Sequence, residues 1–151
     1  MEFDLTKLKA AGKFESDFEG RYAVPETLCD LPGVRFSGEA TVKGHLSVLD
    51  RSCFVDCEIS YGLIGECSRC LTETEQTFTC SLREEFTGYR SDENYAYANN
   101  RLVLDKAIDD AISMSLPIRL LCREDCKGLC PVCGGNRNLS PCDCVSEQES
   151  D

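Results

Sequence analysis

The chain predicts an α+β fold: mainly an antiparallel β-sheet, or a partly open barrel, with one packed helix and a cysteine-rich ribbon at the C-terminal end. Three observations carry this. Residues 53 to 63 and 77 to 86 alternate apolar and polar side chains with period two. Residues 108 to 116 space their apolar side chains as an amphipathic helix does. Twelve cysteines fall in 151 residues, and eight of them form four close pairs.

The first alternation is Val34, Phe36, Ala40 and Val42, and Leu46 and Val48 follow after Gly44, which suggests a pair of strands. The clearest signal comes next: Cys53, Val55, Cys57, Ile59, Tyr61 and Leu63 on one parity, against Asp56, Glu58, Ser60 and Gly62. That is a half-buried strand. Phe78, Cys80, Leu82 and Phe86 repeat the pattern against Thr77, Thr79, Ser81, Arg83 and Glu85. Cys53, Cys57 and Cys80 share the apolar parity, where a free thiol behaves as a small hydrophobe, so they read as core. Cys29 has no close partner and reads as a bystander.

Residues 88 to 100 keep no period and read as a loop, whose three tyrosines pack on the sheet edge or anchor a partner. Leu102, Val103 and Leu104 make a short strand or lead-in. Asp105 is a good N-cap, and Ile108, Ala111, Ile112, Ser115 and Leu116 lay one stripe along a helix of about residues 105 to 116 that Pro117 ends. The length suits one domain. Residues 1 to 117 form its sheet body, residues 118 to 144 a cysteine-rich segment packed on that body, and residues 145 to 151 an acidic tail.

The paired cysteines are Cys67/Cys70, Cys122/Cys126, Cys130/Cys133 and Cys142/Cys144. A pair this tight can place both sulfurs on one ion at about 2.3 Å, and a tetrahedral zinc needs two such pairs. Eight sulfurs suggest two structural zincs. The N-terminus has neither the basic nor the apolar region of a secretion signal, and no stretch approaches the roughly 20 apolar residues of a membrane span. The chain therefore reads as cytoplasmic, where reduced cysteines favour metal over a disulfide framework. Iron–sulfur ligation needs the same thiolates and stays open.

Cys67 and Cys70 follow one strong strand and precede the next, a zinc-knuckle position. In Cys126-Lys127-Gly128-Leu129-Cys130-Pro131-Val132-Cys133-Gly134, Gly128 and Gly134 allow the positive φ that turns amides toward sulfur, and Pro131 stiffens the turn. Cys130/Cys133 with Cys142/Cys144 makes a self-contained zinc ribbon. Cys67/Cys70 then pair with Cys122/Cys126. A competing partition joins Cys122/Cys126 to Cys130/Cys133 and leaves the first knuckle unpaired, with a single zinc. With four thiolates a zinc has no open position for water, so such sites are structural.

Net charge is −11. Residues 1 to 116 hold 21 acids against 12 bases, whereas residues 117 to 144 hold 3 against 4. Broad nucleic-acid binding draws its affinity from Lys and Arg, so any RNA contact is local, with Arg69, Arg119, Arg123, Lys127 and Arg137 as candidates. An acidic body suits a basic protein better. Nothing assembles a catalytic site. His45 is the only histidine, no phosphate-binding glycine loop is present, and the neighbouring acids Glu84-Glu85 and Asp109-Asp110 diverge in a strand or helix.

Cys67-Ser68-Arg69-Cys70-Leu71, the Glu84-Glu85-Phe86 strand end, the Ile108 to Pro117 helix and the Cys122 to Cys144 run together resemble the YceD family, the large ribosomal RNA subunit accumulation proteins of bacteria and plastids. The resemblance covers about Val34 to Cys144. One departure is Arg137, where the family usually has Leu between two asparagines. The resemblance implies a non-catalytic cytoplasmic ribosome-biogenesis factor that supports accumulation or processing of large-subunit ribosomal RNA. Its expected partner is a basic ribosomal protein or a pre-large-subunit particle. The alternatives are a zinc-thiolate redox sensor and a general zinc-dependent protein-interaction module.

Overall fold

One long hairpin organises the chain. The computed structural model describes residues 1–88 and 95–144; the expected acidic tail and the part of the expected loop at 89–94, Tyr89 included, lie outside the described residues. In chain order the elements are β1 (Glu2–Asp4), α1 (Leu5–Ala10), β2 (Glu15–Tyr22), a 3-10 turn (Glu26–Leu28), β3 (Arg35–Phe36), β4 (Ala40–Val48), β5 (Ser52–Glu66), β6 (Glu73–Thr87), β7 (Tyr95–Ala96), β8 (Arg101–Val103) and α2 (Asp105–Ser115).

β5 and β6 pair antiparallel along their whole length, from Ser52 opposite Thr87 to Glu66 opposite Glu73. The main sheet runs β2-β4-β5-β6-β7, and β3 pairs with β5 beyond the end of β4. All its pairings are antiparallel except the short parallel contact of β7 with β6. The sheet is mixed and is not a closed barrel, with β2 at one edge. β1 and β8 form a separate two-stranded ribbon.

The predicted parity holds. Cys53, Val55, Cys57, Ile59, Tyr61 and Leu63 are all buried, and so are Val42, Leu46, Val48, Leu82 and Phe86 on the flanking strands. α2 lies against β6 and buries Ala107, Ile108 and Ile112 in the same core, where each fully buried isoleucine contributes roughly 1.5–3 kcal/mol. The Tyr61 hydroxyl is 2.8 Å from Ser115 Oγ, which ties the end of the helix to the middle of β5. Asp109 and Asp110 diverge as expected. Asp109 accepts from the Tyr22 hydroxyl at 2.7 Å, and Asp110 accepts from the Tyr95 hydroxyl at 2.7 Å and Lys106 Nζ at 2.8 Å. Those two bonds hold the Asp110 carboxyl below its ordinary range.

Three local expectations are corrected. Gly44 does not separate two strands: β4 runs through it, because the backbone of Asp56 and Cys57 passes too close for any side chain. Asp105 is the first helical residue rather than the cap, which falls at Leu104; its carboxylate is bonded by the Met1 ammonium instead. The expected loop at 88–100 contains β7, and Tyr95 stacks on Phe86 with ring centroids 5.3 Å apart.

The other face of the sheet is open and charged. Asp17, His45, Asp56 and Arg83 stand in one row across β2, β4, β5 and β6. His45 Nδ1 is 2.7 Å from Asp17, and Arg83 is 3.2 Å from Asp56. Among the described residues no helix is long and apolar enough to cross a membrane.

Candidate metal centres

The β5–β6 hairpin leaves residues 67 to 72 as its turn, and that turn is the first knuckle. Cys67 N–H bonds Thr72 O at 2.9 Å and Leu71 N–H bonds Cys67 O at 2.9 Å. Closing so tightly puts Leu71 in the left-handed region at φ 61°, a conformation that costs a side chain roughly 1–2 kcal/mol. After α2 ends, the chain returns beneath the hairpin: Leu120 enters the main core, its carbonyl accepts from Ser68 N–H at 2.8 Å, and Gln76 Nε2 donates to Cys122 O at 2.8 Å. These contacts carry Cys122 and Cys126 to Cys67 and Cys70.

The sulfurs of Cys67, Cys70, Cys122 and Cys126 all lie within 4.8 Å of one another, and so do those of Cys130, Cys133, Cys142 and Cys144. Cys67 Sγ is 3.7 Å from Cys126 Sγ, and Cys70 Sγ is 3.7 Å from Cys122 Sγ. Four thiolates about 2.3 Å from a tetrahedral ion stand about 3.8 Å apart, whereas a disulfide needs about 2.05 Å. The spacing fits a metal and not a covalent bridge. It also groups the pairs as two tetrads, not as the competing partition.

Backbone amides favour the ionised form in each tetrad. Burial pushes the Cys67 thiol up, but the amides of Cys70, Cys122 and Arg69 outweigh it and bring the thiol down to about 6. The amides of Cys133 and Val132 likewise bring Cys130 to about 6. Burial holds Cys122 up at about 12, and the Cys133 side chain followed by burial holds Cys144 there. A divalent cation is what lets all four sulfurs of a tetrad ionise together. The core thiols differ in kind: burial is the largest influence on Cys53 and Cys57, opposed by Lys9 at the first and reinforced by Asp56 at the second, and both are pushed up to about 11, so they stay protonated and apolar.

Gly128 and Gly134 adopt the expected positive φ, 72° at each. At Gly128 a side chain would also stand 3.3 Å from the Arg69 carbonyl. This close approach locks the tetrads together, since Leu129 N–H donates to Arg69 O and Arg137 N–H to Gly128 O. Two supporting roles are not legible in the sequence, which offers Arg69 only as a candidate RNA contact. Asn138 Nδ2 points at Cys126 Sγ, 3.3 Å away, and its Oδ1 accepts from Lys127 N–H and Arg123. Arg69 donates to the Cys126 and Glu124 carbonyls at 3.0 and 3.4 Å. No spacing signals either role.

The tetrads differ in exposure. Cys67, Cys70 and Cys126 are buried with Leu121 and Leu129 against them, whereas in the second tetrad Cys130 is buried and Cys133 is exposed.

Fold and site together define a cysteine-rich sheet protein with two four-sulfur clusters able to hold metal. Residues 55–151 match the family model described as "Large ribosomal RNA subunit accumulation protein YceD", and the chain belongs to that family. It is 37% identical over 79 residues to an uncharacterized protein of Mycobacterium tuberculosis, covering 47% of this chain and 38% of that protein. An uncharacterized protein of Mycobacterium leprae is 30% identical over 86 residues, covering 52% and 40%. A chloroplastic large ribosomal RNA subunit accumulation protein homolog of Arabidopsis thaliana is 37% identical over 46 residues, covering 30% of this chain and 14% of that protein. The matched stretch thus spans about two fifths of the length of the mycobacterial relatives. No solved structure matches the chain significantly.

Proposed function

We propose that this chain is a non-catalytic ribosome-biogenesis factor that supports accumulation or processing of large-subunit ribosomal RNA, and that it does so by holding a basic ribosomal protein or a pre-large-subunit particle. The family match over residues 55–151 carries the reading. The charge of −11 supports a basic protein as the direct partner, because complementary potentials speed encounter and suppress wrong pairing. RNA contact is secondary. Of the candidate cations, Arg69 is committed to backbone carbonyls and Arg123 to Asn138 and Asp125.

Each tetrad holds one zinc, with Cys67, Cys70, Cys122 and Cys126 on the first and Cys130, Cys133, Cys142 and Cys144 on the second. Four thiolates without an open coordination position make these ions structural, and a reducing compartment keeps the ligands available. A redox sensor is the poorer reading, since three of the first four sulfurs are buried and thiolate oxidation follows exposure. Sedimentation of tagged protein from growing cells tests the function. It is expected to travel with pre-large-subunit particles, and protein that stays wholly at the top of the gradient contradicts the proposal.

A further inference from the structure

β6 is the edge strand of the main sheet over most of its length. Among the described residues, β7 covers it only at Phe86 and Thr87. Gly88 N–H bonds Arg51 across the hairpin, and Thr87 O accepts from Tyr97 N–H on the opposite side. Antiparallel strands alternate the direction of their backbone groups. The odd residues from Glu75 to Glu85 therefore turn their N–H and C=O groups outward, away from β5. Such a row is a template for another strand.

Beside this edge, between β6 and α2, runs a groove of about 430 Å³. Leu82, Ala111, Tyr95 and Met114, the last 89% exposed, are among the residues that line it. Glu84 lines it, and Asp110 does too although Tyr95 and Lys106 already bond it. β6 carries Glu73, Glu75, Glu84 and Glu85 against Arg83 alone, and Arg83 is paired with Asp56. A second copy is a poor occupant, because it brings −11 against −11.

We infer that the edge of β6 from Glu75 to Glu85 is a docking site for an extended basic segment of a partner protein, which adds a strand to the sheet and lays alternate apolar side chains in the groove against Met114. Backbone bonding supplies affinity in this mode and the groove supplies specificity. One-signed edge charge selects among strands. It turns away acidic chains, including this one, and admits basic ones. The inference rests on the reading of a basic partner and says where that partner binds.

The test uses zinc-loaded full-length chain and a capped eight-residue peptide of alternating lysine and valine, with a glutamate-for-lysine peptide as control. The basic peptide is expected to bind and to slow amide exchange at Thr79, Ser81 and Arg83, and the acidic one to fail. Ser81→Pro removes one outward N–H without touching the β5 ladder, a place where an edge strand accepts proline, and is expected to weaken binding about tenfold, or 1.4 kcal/mol. Should Ser81→Pro misfold, the double variant Glu84→Lys with Glu85→Lys, which leaves the backbone unchanged, is expected to weaken it as much. Equal binding by wild type and a folded edge variant overturns the inference, as does protection confined to the Asp17 face, or self-association of the chain that Ser81→Pro abolishes. If wild-type protein and both variants sediment equally with pre-large-subunit particles, the edge site falls and the proposed function stands. If the peptide docks at Ser81 but wild-type protein never meets those particles, the function falls and the edge stands.

Discussion

Chelating the metal from reduced protein is expected to release residues 121 to 144 while the β4–β5–β6 ladder stays folded. Beyond Leu120 the C-terminal segment offers the core almost nothing apolar: its buried residues are Cys126, Gly128 and Cys130, and Val132 and Leu139 are exposed. Burial of that kind cannot offset an ordering cost of roughly 1–2 kcal/mol per residue for the backbone alone. Structural zinc at about 10–16 kcal/mol per site can. Amide exchange reads the outcome. The amides of Cys130, Gly134 and Arg137, which bond the carbonyls of Gly135, Cys130 and Gly128, are expected to lose protection on chelation, while those of Val55 and Leu82 keep theirs. Protection at Cys130 and Arg137 that survives complete metal removal would show that something other than metal holds the segment.

Replacing Gly44 with alanine is expected to be the most damaging single methyl in the sheet. Its Cβ would lie 2.3 Å from Cys57 Cβ, 2.4 Å from Asp56 O and 2.5 Å from Cys57 Cα. Two of those atoms are backbone, so no rotamer change relieves the clash, and β4 must separate from β5 at the middle of the sheet. Overpacking of this kind costs about 3 kcal/mol. Denaturant unfolding should show the midpoint falling accordingly, with Lys43→Ala, on the solvated face next door, within about 0.5 kcal/mol of wild type. A Gly44→Ala variant as stable as wild type would mean that the two strands do not approach this closely.

Gly44 also shows where reading the sequence stops. Period two at Cys53 to Leu63 and period 3.6 at Ile108 to Leu116 are local consequences of burying one face, and both are legible residue by residue. The close approach at Gly44 belongs to a pair of strands, so the sequence alone offers only a missing side chain, which resembles a break. β2 is hidden for a related reason: its inward positions are Ser16, Phe18, Gly20 and Tyr22, and two of the four are not apolar. β1 is paired with β8 a hundred residues away, Glu2 opposite Val103, and three residues carry no period.

The cysteine clusters divide in the same way. Each pair announces itself through its spacing, because two sulfurs that must share one ion cannot be far apart on a turn. Which pairs join is a matter of tertiary structure. Cys67 and Cys126 are 59 residues apart, and only the return of the chain after α2 brings them together. The hydrogen bond from Asn138 to Cys126 and the anchoring of Arg69 depend on that same closure.

Elemental analysis of freshly purified, reduced full-length protein tests the two four-sulfur centres most directly. Two zinc ions per chain are predicted. A metal-free chain whose residues 121 to 144 are nonetheless fully protected from exchange would contradict them.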